Sequence, residues 1–250
     1  MDLASLAGLS PAGLLLFCAT VVGAAVLRAF SGFGFALAAM PLLVLVIDPA
    51  RAVVLCALLS VTAGLRSFRQ AWRAADRVLM KPLVLGSLIG TPIGVVALDH
   101  LPAETMKLLV GLGVLGSALL LWRTGVMAGA GRRFALPVGF SAGLMGGALA
   151  IPGPPIVVFL LGTEPDPMRA RGTLMAFFNA TSLISIVGYM ATGIIDEVSP
   201  VQFALALPSL LLGDWLGFKL FERFGNDHFR NIALVVLAVI GASATLKALY

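Results

Sequence analysis

The chain has 250 residues, of which 60% are hydrophobic and only 12% are charged. A soluble domain carries about 25% charged residues. This composition, with a mean hydropathy of +1.04, therefore excludes an ordinary soluble fold and predicts a polytopic membrane protein. The net charge of +5 is better explained by loop residues that set membrane topology than by a nucleic-acid partner.

Apolar stretches near the ~20 residues that cross a bilayer predict an all-α fold. The long stretches lie at about 11–30, 51–66, 80–98, 105–122, 171–193, 200–218 and 230–248, and shorter or broken ones at about 35–47, 134–150 and 152–162. The two cysteines, Cys18 and Cys56, lie within such stretches and lack metal-ligand spacing. We interpret them as small buried hydrophobic residues, with no disulfide and no metal site.

A five-residue pattern that begins with Asp-Pro occurs twice. Asp48–Ala52 returns as Asp166–Ala170, and Gly90–Gly94 has a weaker echo in Gly213–Gly217. The two aspartates are tempting as catalytic carboxylates. However, Asp followed by Pro is also typical of a helix start, where Asp caps the first turn and Pro occupies its first position. The capping interpretation is favoured.

Ahead of each Asp-Pro, glycine and proline interrupt an apolar stretch, and paired interruptions of this kind indicate a transport site. The N-terminus of the half-helix that resumes after a break carries partial positive charge and free N–H donors, which suits an anion. The alternative is that these glycines only allow close packing. The substrate-binding candidates at the two breaks are Ser31, Gly32, Gly34, Gly146, Gly147, Pro152 and Pro154.

Basic residues cluster in three predicted loops, at 66–81, 123–133 and 219–230. Basic loops stay in the cytoplasm, so these loops are predicted inside and both termini periplasmic. Each half then contains one Gly/Pro-broken helical hairpin plus three transmembrane helices, which is an odd number of single crossings. The predicted fold is two inverted-topology repeats, 1–122 and 134–250, joined by a cytoplasmic linker at 123–133.

The same parity places the remaining charged residues. Arg169 and Arg171, which follow the second Asp-Pro, are predicted at the cytoplasmic face, and Arg51 at the outer face. The loop that contains Asp196 and Glu197 has no basic residue and is also predicted outside.

Each half contains a Gly-rich break, a proline, a short apolar run and then a helix that opens at Pro-x-x-Ala. This combination resembles the sulfite exporter TauE/SafE family, over about residues 12–248. The resemblance implies a carrier in the bacterial inner membrane for sulfur-containing anions such as sulfite or organosulfonates.

Arg28 lies in an apolar stretch just before the first break. A cation in lipid costs at least ~2.5–3.5 kcal/mol on insertion scales and normally faces the protein interior. A guanidinium also matches the oxyanions of sulfur and carboxylate groups. Arg28 is therefore a substrate-binding candidate, with snorkelling to the interface or structural pairing as the alternatives.

Asp214 lies inside a predicted span and is a candidate for proton coupling or for the counter-ion of Arg28. The alternative is an interfacial residue close to Lys219. Asn179 and Thr91 also lie within predicted spans. They are further substrate-binding candidates, although such groups also serve as hydrogen-bonding contacts between helices.

These observations favour a secondary transporter of a small anion, in which two inverted halves rock around a midplane site. The expected partners are the anion and membrane lipids, with no cofactor, and the protein is expected as a monomer or homodimer. A carrier of a cation or another small solute is the alternative. A membrane-embedded enzyme is disfavoured, because it would need a nucleophile and base, or paired carboxylates, at membrane depth.

Overall fold

The computed structural model describes residues 8–32, 34–102, 104–106, 108–109, 112 and 131–248; the side chains of Ser31, Leu161 and 224–248 are outside the description. Within these residues all regular secondary structure is helical. The helices are α1 (Pro11–Ser31), α2 (Phe35–Leu43), α3 (Pro49–Ala74), α4 (Arg77–His100), α5 (Ala135–Leu149), α6 (Gly153–Thr163), α7 (Pro167–Thr192) and α8 (Val198–Ala248), with a short 3₁₀ turn at Arg132–Phe134.

Five helices of the described chain are long and apolar enough to cross a membrane. They are α1, α3, α4, α7 and the Val198–Arg223 part of α8. The prediction of an all-helical, multi-pass membrane protein is therefore confirmed. The predicted span at 105–122 and the linker at 123–133 fall largely outside the described residues.

The predicted loop between 200–218 and 230–248 is wrong. The backbone of α8 continues as helix through this segment, so Lys219 and Arg223 lie on a helix rather than in a loop. The loop was inferred from its charge, but charge alone does not end a helix. No proline follows Pro208, and nothing else there removes a backbone donor from the helix.

Both Asp-Pro pairs start helices. The Asp48 carboxylate accepts a hydrogen bond from the Ala50 N–H at 2.9 Å, and the Asp166 carboxylate accepts one from the Met168 N–H at 3.0 Å. In each case proline occupies the first turn of a 26-residue helix. The capping interpretation is confirmed, and these carboxylates are used to start α3 and α7.

Glycine rows bring two pairs of helices into backbone contact. A methyl group at Gly213 or Gly217 of α8 would lie 2.5 Å from the carbonyl oxygen of Val22 or Val26 of α1, respectively. Residue numbers rise together along this contact, so α1 and α8 run parallel. Such close approach of small residues is how helices associate in lipid without a hydrophobic driving force.

The second pair is α4 and α5, which also run parallel. Methyl groups at Gly86, Gly90 and Gly94 of α4 would overlap backbone carbonyl oxygens of α5, those of Leu136, Phe140 and Leu144 in that order. Helix α1, the first of the first half, therefore packs on α8, the last of the second half. Helix α5, the first after the linker, packs on α4.

The equivalent helices α3 and α7 pack against each other in opposite directions. A methyl group at Gly64 of α3 would meet Asn179 of α7, and one at Gly172 of α7 would meet Ala74 of α3 at 2.6 Å. Residue numbers rise along one helix as they fall along the other. The inverted repeat remains a prediction, and this antiparallel contact is the arrangement that it requires.

Two ion pairs join segments that were predicted on the same side of the membrane. Arg51 Nε lies 2.6 Å from Asp196 Oδ2, and both were placed outside. Arg132 Nη2 lies 3.3 Å from Asp76 Oδ2, and both belong to loops placed inside. These contacts agree with the predicted grouping of loops.

Asp196 stabilises the start of α8 in addition to its ion pair with Arg51. Its Oδ1 accepts hydrogen bonds from the Ser199 N–H at 3.0 Å and from the Ser199 hydroxyl at 2.7 Å. Partial burial raises the pKa of the Asp196 carboxyl, but the hydrogen bonds from Ser199 and Arg51 together lower it by more, so the pKa lies below its ordinary value.

We expect Gly90→Ala to destabilise the protein, because the added methyl group would overlap the Phe140 carbonyl. Overpacking of this kind costs about 1–3 kcal/mol. The matched control is Gly23→Ala, where nothing lies within 4 Å and alanine is the better helix former by about 1 kcal/mol. Thermal unfolding of the detergent-purified protein should show a lower midpoint for Gly90→Ala only; equal midpoints would contradict the close α4–α5 contact.

We expect Asp196→Ala to cost about 1 kcal/mol near neutral pH, mainly through the lost bonds at the start of α8. Because the folded-state pKa is lowered, this stabilisation is present above about pH 4 and is lost as the pH falls through the folded-state pKa. Unfolding midpoints measured from pH 7 downwards test this, with exposed Glu197→Ala as control. A difference from wild type that does not change with pH would argue against the ionised carboxylate.

Candidate functional site

The first break separates α1 from α2 at Gly32 and Gly34. Gly32 adopts the left-handed conformation, with φ of 71°, and its N–H donates to the Arg28 carbonyl at 2.8 Å. This closes the end of α1. In contrast, α2 begins after Gly34 with no side chain that caps its first turn.

The second break separates α5 from α6. Ala150 adopts the left-handed conformation without being glycine, with φ of 55°, and its N–H donates to the Gly146 carbonyl at 3.0 Å. That conformation costs an L-residue roughly 1–2 kcal/mol. Helix α6 begins at Gly153 after Pro152, has Pro154 in its first turn, and again lacks a side-chain cap.

The N-termini of the two half-helices meet at one aromatic ring. A methyl group at Gly34 would lie 3.6 Å from Phe178 Cδ2, and one at Gly153 would lie 4.0 Å from Phe178 Cζ and 3.7 Å from Leu37 Cδ2 of α2. Phe178 is buried in α7. Two half-helix N-termini without side-chain caps therefore lie beside this ring. At α6 the first-turn N–H donors are those of Gly153 and Ile156, because Pro154 and Pro155 have none.

Arg28 is buried beside the first break and forms an ion pair. Its Nη1 lies 3.3 Å from Asp214 Oδ1, with 7% and 1% of the two side chains exposed, and its Nη2 donates to Ser67 Oγ at 3.2 Å. Arg28 therefore does not snorkel to the interface, and Asp214 is its counter-ion rather than an interfacial partner of Lys219. Asp214 Oδ2 is also buried and has no hydrogen-bond partner in the described structure.

The geometry of Gly146 and Gly147 favours a packing role. A methyl group at Gly146 would lie 2.8 Å from Thr181 Cγ2, and one at Gly147 would overlap the Thr91 carbonyl oxygen. The Tyr189 hydroxyl, which was not singled out from the sequence, donates to the Gly147 carbonyl at 2.8 Å. These contacts fix the last turn of α5.

Thr91 and Asn179 are buried polar residues whose oxygens lack partners. Thr91 Oγ1 and Asn179 Oδ1 make no hydrogen bond within the described part of the chain. Asn179 lies against Gly64, and Thr91 against Gly147, so both flank close helix contacts. Buried polar atoms normally find partners, and both therefore stay candidates for contact with a ligand. The Ser31 side chain is outside the described residues.

The cytoplasmic placement of Arg169 and Arg171 remains a prediction, but the structure shows that the two side chains have different surroundings. Arg169 is exposed, but Arg171 is only 4% exposed. Its Nη2 donates to the Ala29 carbonyl at 2.5 Å, and its Cζ lies 4.0 Å from the centre of the Phe221 ring. Residues two apart on a helix point to different sides, so burial of one does not bury the other.

Among the described residues, no group of three His, Cys, Asp or Glu side chains could hold a metal ion. The described residues at the site supply two arginine cations, two helix N-termini without side-chain caps and one buried carboxylate.

We expect removal of one partner from the Arg28–Asp214 pair to be more harmful than removal of both. Asp214→Ala would leave Arg28 buried without its carboxylate, which typically costs about 3–5 kcal/mol, whereas apolar replacement of a whole buried pair is often neutral. Thermal unfolding should therefore rank the double variant Arg28→Met, Asp214→Leu above Asp214→Ala. Simple addition of two single-variant losses would show that the pair is not coupled.

Comparison with known proteins covers both breaks. A family model described as "Sulfite exporter TauE/SafE" matches residues 15–244. A curated protein of Cupriavidus necator named "Probable sulfite/organosulfonate exporter TauE" is 29% identical over 185 residues, which is 71% of this chain and 70% of that protein. No solved structure matches the chain. Because the family model spans most of the chain, the protein belongs to the sulfite exporter TauE/SafE family.

Proposed function

We propose that this protein is a secondary transporter that exports a small sulfur-containing oxyanion or organosulfonate across the bacterial inner membrane by alternating access. The observation that carries the proposal is the meeting of the two uncapped half-helix N-termini at Phe178. Family membership and the name of the Cupriavidus necator protein support this substrate class.

The two ends of each break differ in a way that favours an anion over a cation. Carbonyl oxygens at the ends of the preceding helices accept hydrogen bonds from the protein. The Arg28 carbonyl accepts from the Gly32 N–H, the Gly146 carbonyl from the Ala150 N–H, and the Gly147 carbonyl from the Tyr189 hydroxyl. A cation would need such carbonyls to be free. The first N–H groups of α2 and α6 have no side-chain acceptor, and an anion is the ligand that complements them.

The Arg28–Asp214 pair supplies a route to proton coupling. With Asp214 ionised, the pair is neutral and Arg28 is occupied. If a proton binds at Asp214 Oδ2, which has no hydrogen-bond partner in the described structure, the carboxyl becomes neutral and the Arg28 charge is available to an anion. With the proton and the anion both bound, Arg28, Asp214 and the anion have the same net charge as the ionised pair alone, so this pair adds no uncompensated charge to the low-dielectric interior.

The membrane arrangement that we propose has repeats 1–122 and 134–250, a cytoplasmic linker at 123–133 and a periplasmic N-terminus, in a monomer or homodimer. The predicted periplasmic C-terminus required a loop between 200–218 and 230–248, and the continuous backbone of α8 has none there. The proposed arrangement is supported by the antiparallel contact of α3 with α7 and by the ion pairs Arg51–Asp196 and Arg132–Asp76, each within one predicted face.

Transport by purified protein in liposomes tests the function. We expect sulfite efflux at least about tenfold above protein-free vesicles, competition by taurine or sulfoacetate, and no change when sodium is replaced by choline. Gly23→Ala is the matched control. Flux that follows the cation, or sulfite efflux equal to that of empty vesicles, would contradict the proposal.

The same vesicles test the role of Asp214. Asp214→Asn keeps the size of the side chain but cannot ionise, so the dependence of sulfite efflux on a pH gradient should disappear. A variant that responds to the gradient like wild type would exclude Asp214 as the proton site.

A further inference from the structure

Arg171 is a buried cation whose charge has no carboxylate partner within the described residues. Arg28, in contrast, is paired with Asp214. The Arg171 guanidinium is stabilised by the Ala29 carbonyl and by the face of Phe221, and its buried Nε makes no hydrogen bond in the described structure. Burying a charge without a counter-charge is costly, and the described residues supply no negative group to Arg171.

The Arg171 side chain packs against the backbone of the first break. A methyl group at Gly32 would lie 2.6 Å from Arg171 Cγ, so the side chain crosses the backbone at the point where glycine leaves room. Phe178 lies seven residues further along α7, which is about two turns and therefore the same face. One face of α7 thus presents Arg171 to the end of α1 and Phe178 to the start of α2.

The electrostatics point to an anion at this place. Arg171 binds the carbonyl oxygen of Ala29, the residue next to Arg28, and the N-terminus of α2, with its partial positive charge, follows within the same break. Each of these three groups is stabilised by a negative ligand. Asp214 already neutralises one of them, and Arg171 and the α2 N-terminus remain.

We propose that Arg171 binds the anionic group of the substrate directly, together with the N-terminus of α2, so that the charge of the substrate is matched by Arg171 before Arg28 is released from Asp214. This inference rests on the proposed function. The Nε–H is the free donor, and a guanidinium suits the several oxygens of a sulfite or sulfonate better than the point charge of lysine.

The test is ligand binding by full-length, detergent-purified protein, measured as the shift of its unfolding midpoint with sulfite and with ethanesulfonate. Arg171→Lys keeps the charge but loses the planar fork, and we expect its apparent Kd to rise at least about tenfold. Arg169→Gln is the matched control, because Arg169 is exposed on the same helix; its Kd should change less than about twofold.

The outcomes separate this inference from the proposed function. If wild type binds no sulfur anion, the proposed function fails. If wild type binds and folded Arg171→Lys binds equally well, only the role of Arg171 fails.

A second variant covers the case in which Arg171→Lys does not fold. Arg171→Gln removes the buried charge that has no carboxylate partner among the described residues, and its apparent Kd for ethanesulfonate should rise at least about tenfold relative to wild type. Equal binding by wild type and folded Arg171→Gln would overturn the inference.

Discussion

A helix that stops inside a membrane protein must give its backbone groups partners other than water, and this constraint organises the molecule. Four helices that start near a predicted membrane face use side chains for this purpose: Ser10, Asp48, Asp76 and Asp166 each accept hydrogen bonds from a first turn. The two helices that start at the internal breaks have no such cap. Helix α5 also lacks a side-chain cap, but it follows directly on the 3₁₀ turn at Arg132–Phe134.

The helix contacts explain how such a site is held in place. Glycine rows bring α8 against α1 and α4 against α5 at backbone distance, and the Tyr189 hydroxyl fixes the end of α5. Close packing restricts the positions of the broken helices. The half-helices α2 and α6 are short, so the helices that pack around them fix the positions of their N-termini.

The sequence predicted features that depend on local chemistry. Glycine and proline mark the breaks because they change what the backbone can do, and Asp48 and Asp166 mark helix starts for the same reason. The pairing of Arg28 with Asp214 was among the alternatives, because a charge in lipid requires a partner. The sequence did not indicate features that depend on distant parts of the chain. Arg171 is buried against Ala29 and Phe221, and Gly32, in the other half, leaves room for its side chain.

The contact between α1 and α8 also bears on which parts can move. Gly213 and Gly217 of α8 lie on either side of Asp214 in the sequence, and they touch the backbone of α1 at Val22 and Val26. Sliding of either helix along the other would have to open these contacts, so we expect α1 and α8 to move together although they come from opposite ends of the chain. We expect the same of α4 and α5. Units that move in this way would not coincide with the predicted sequence halves, because each pair joins one helix from either predicted repeat.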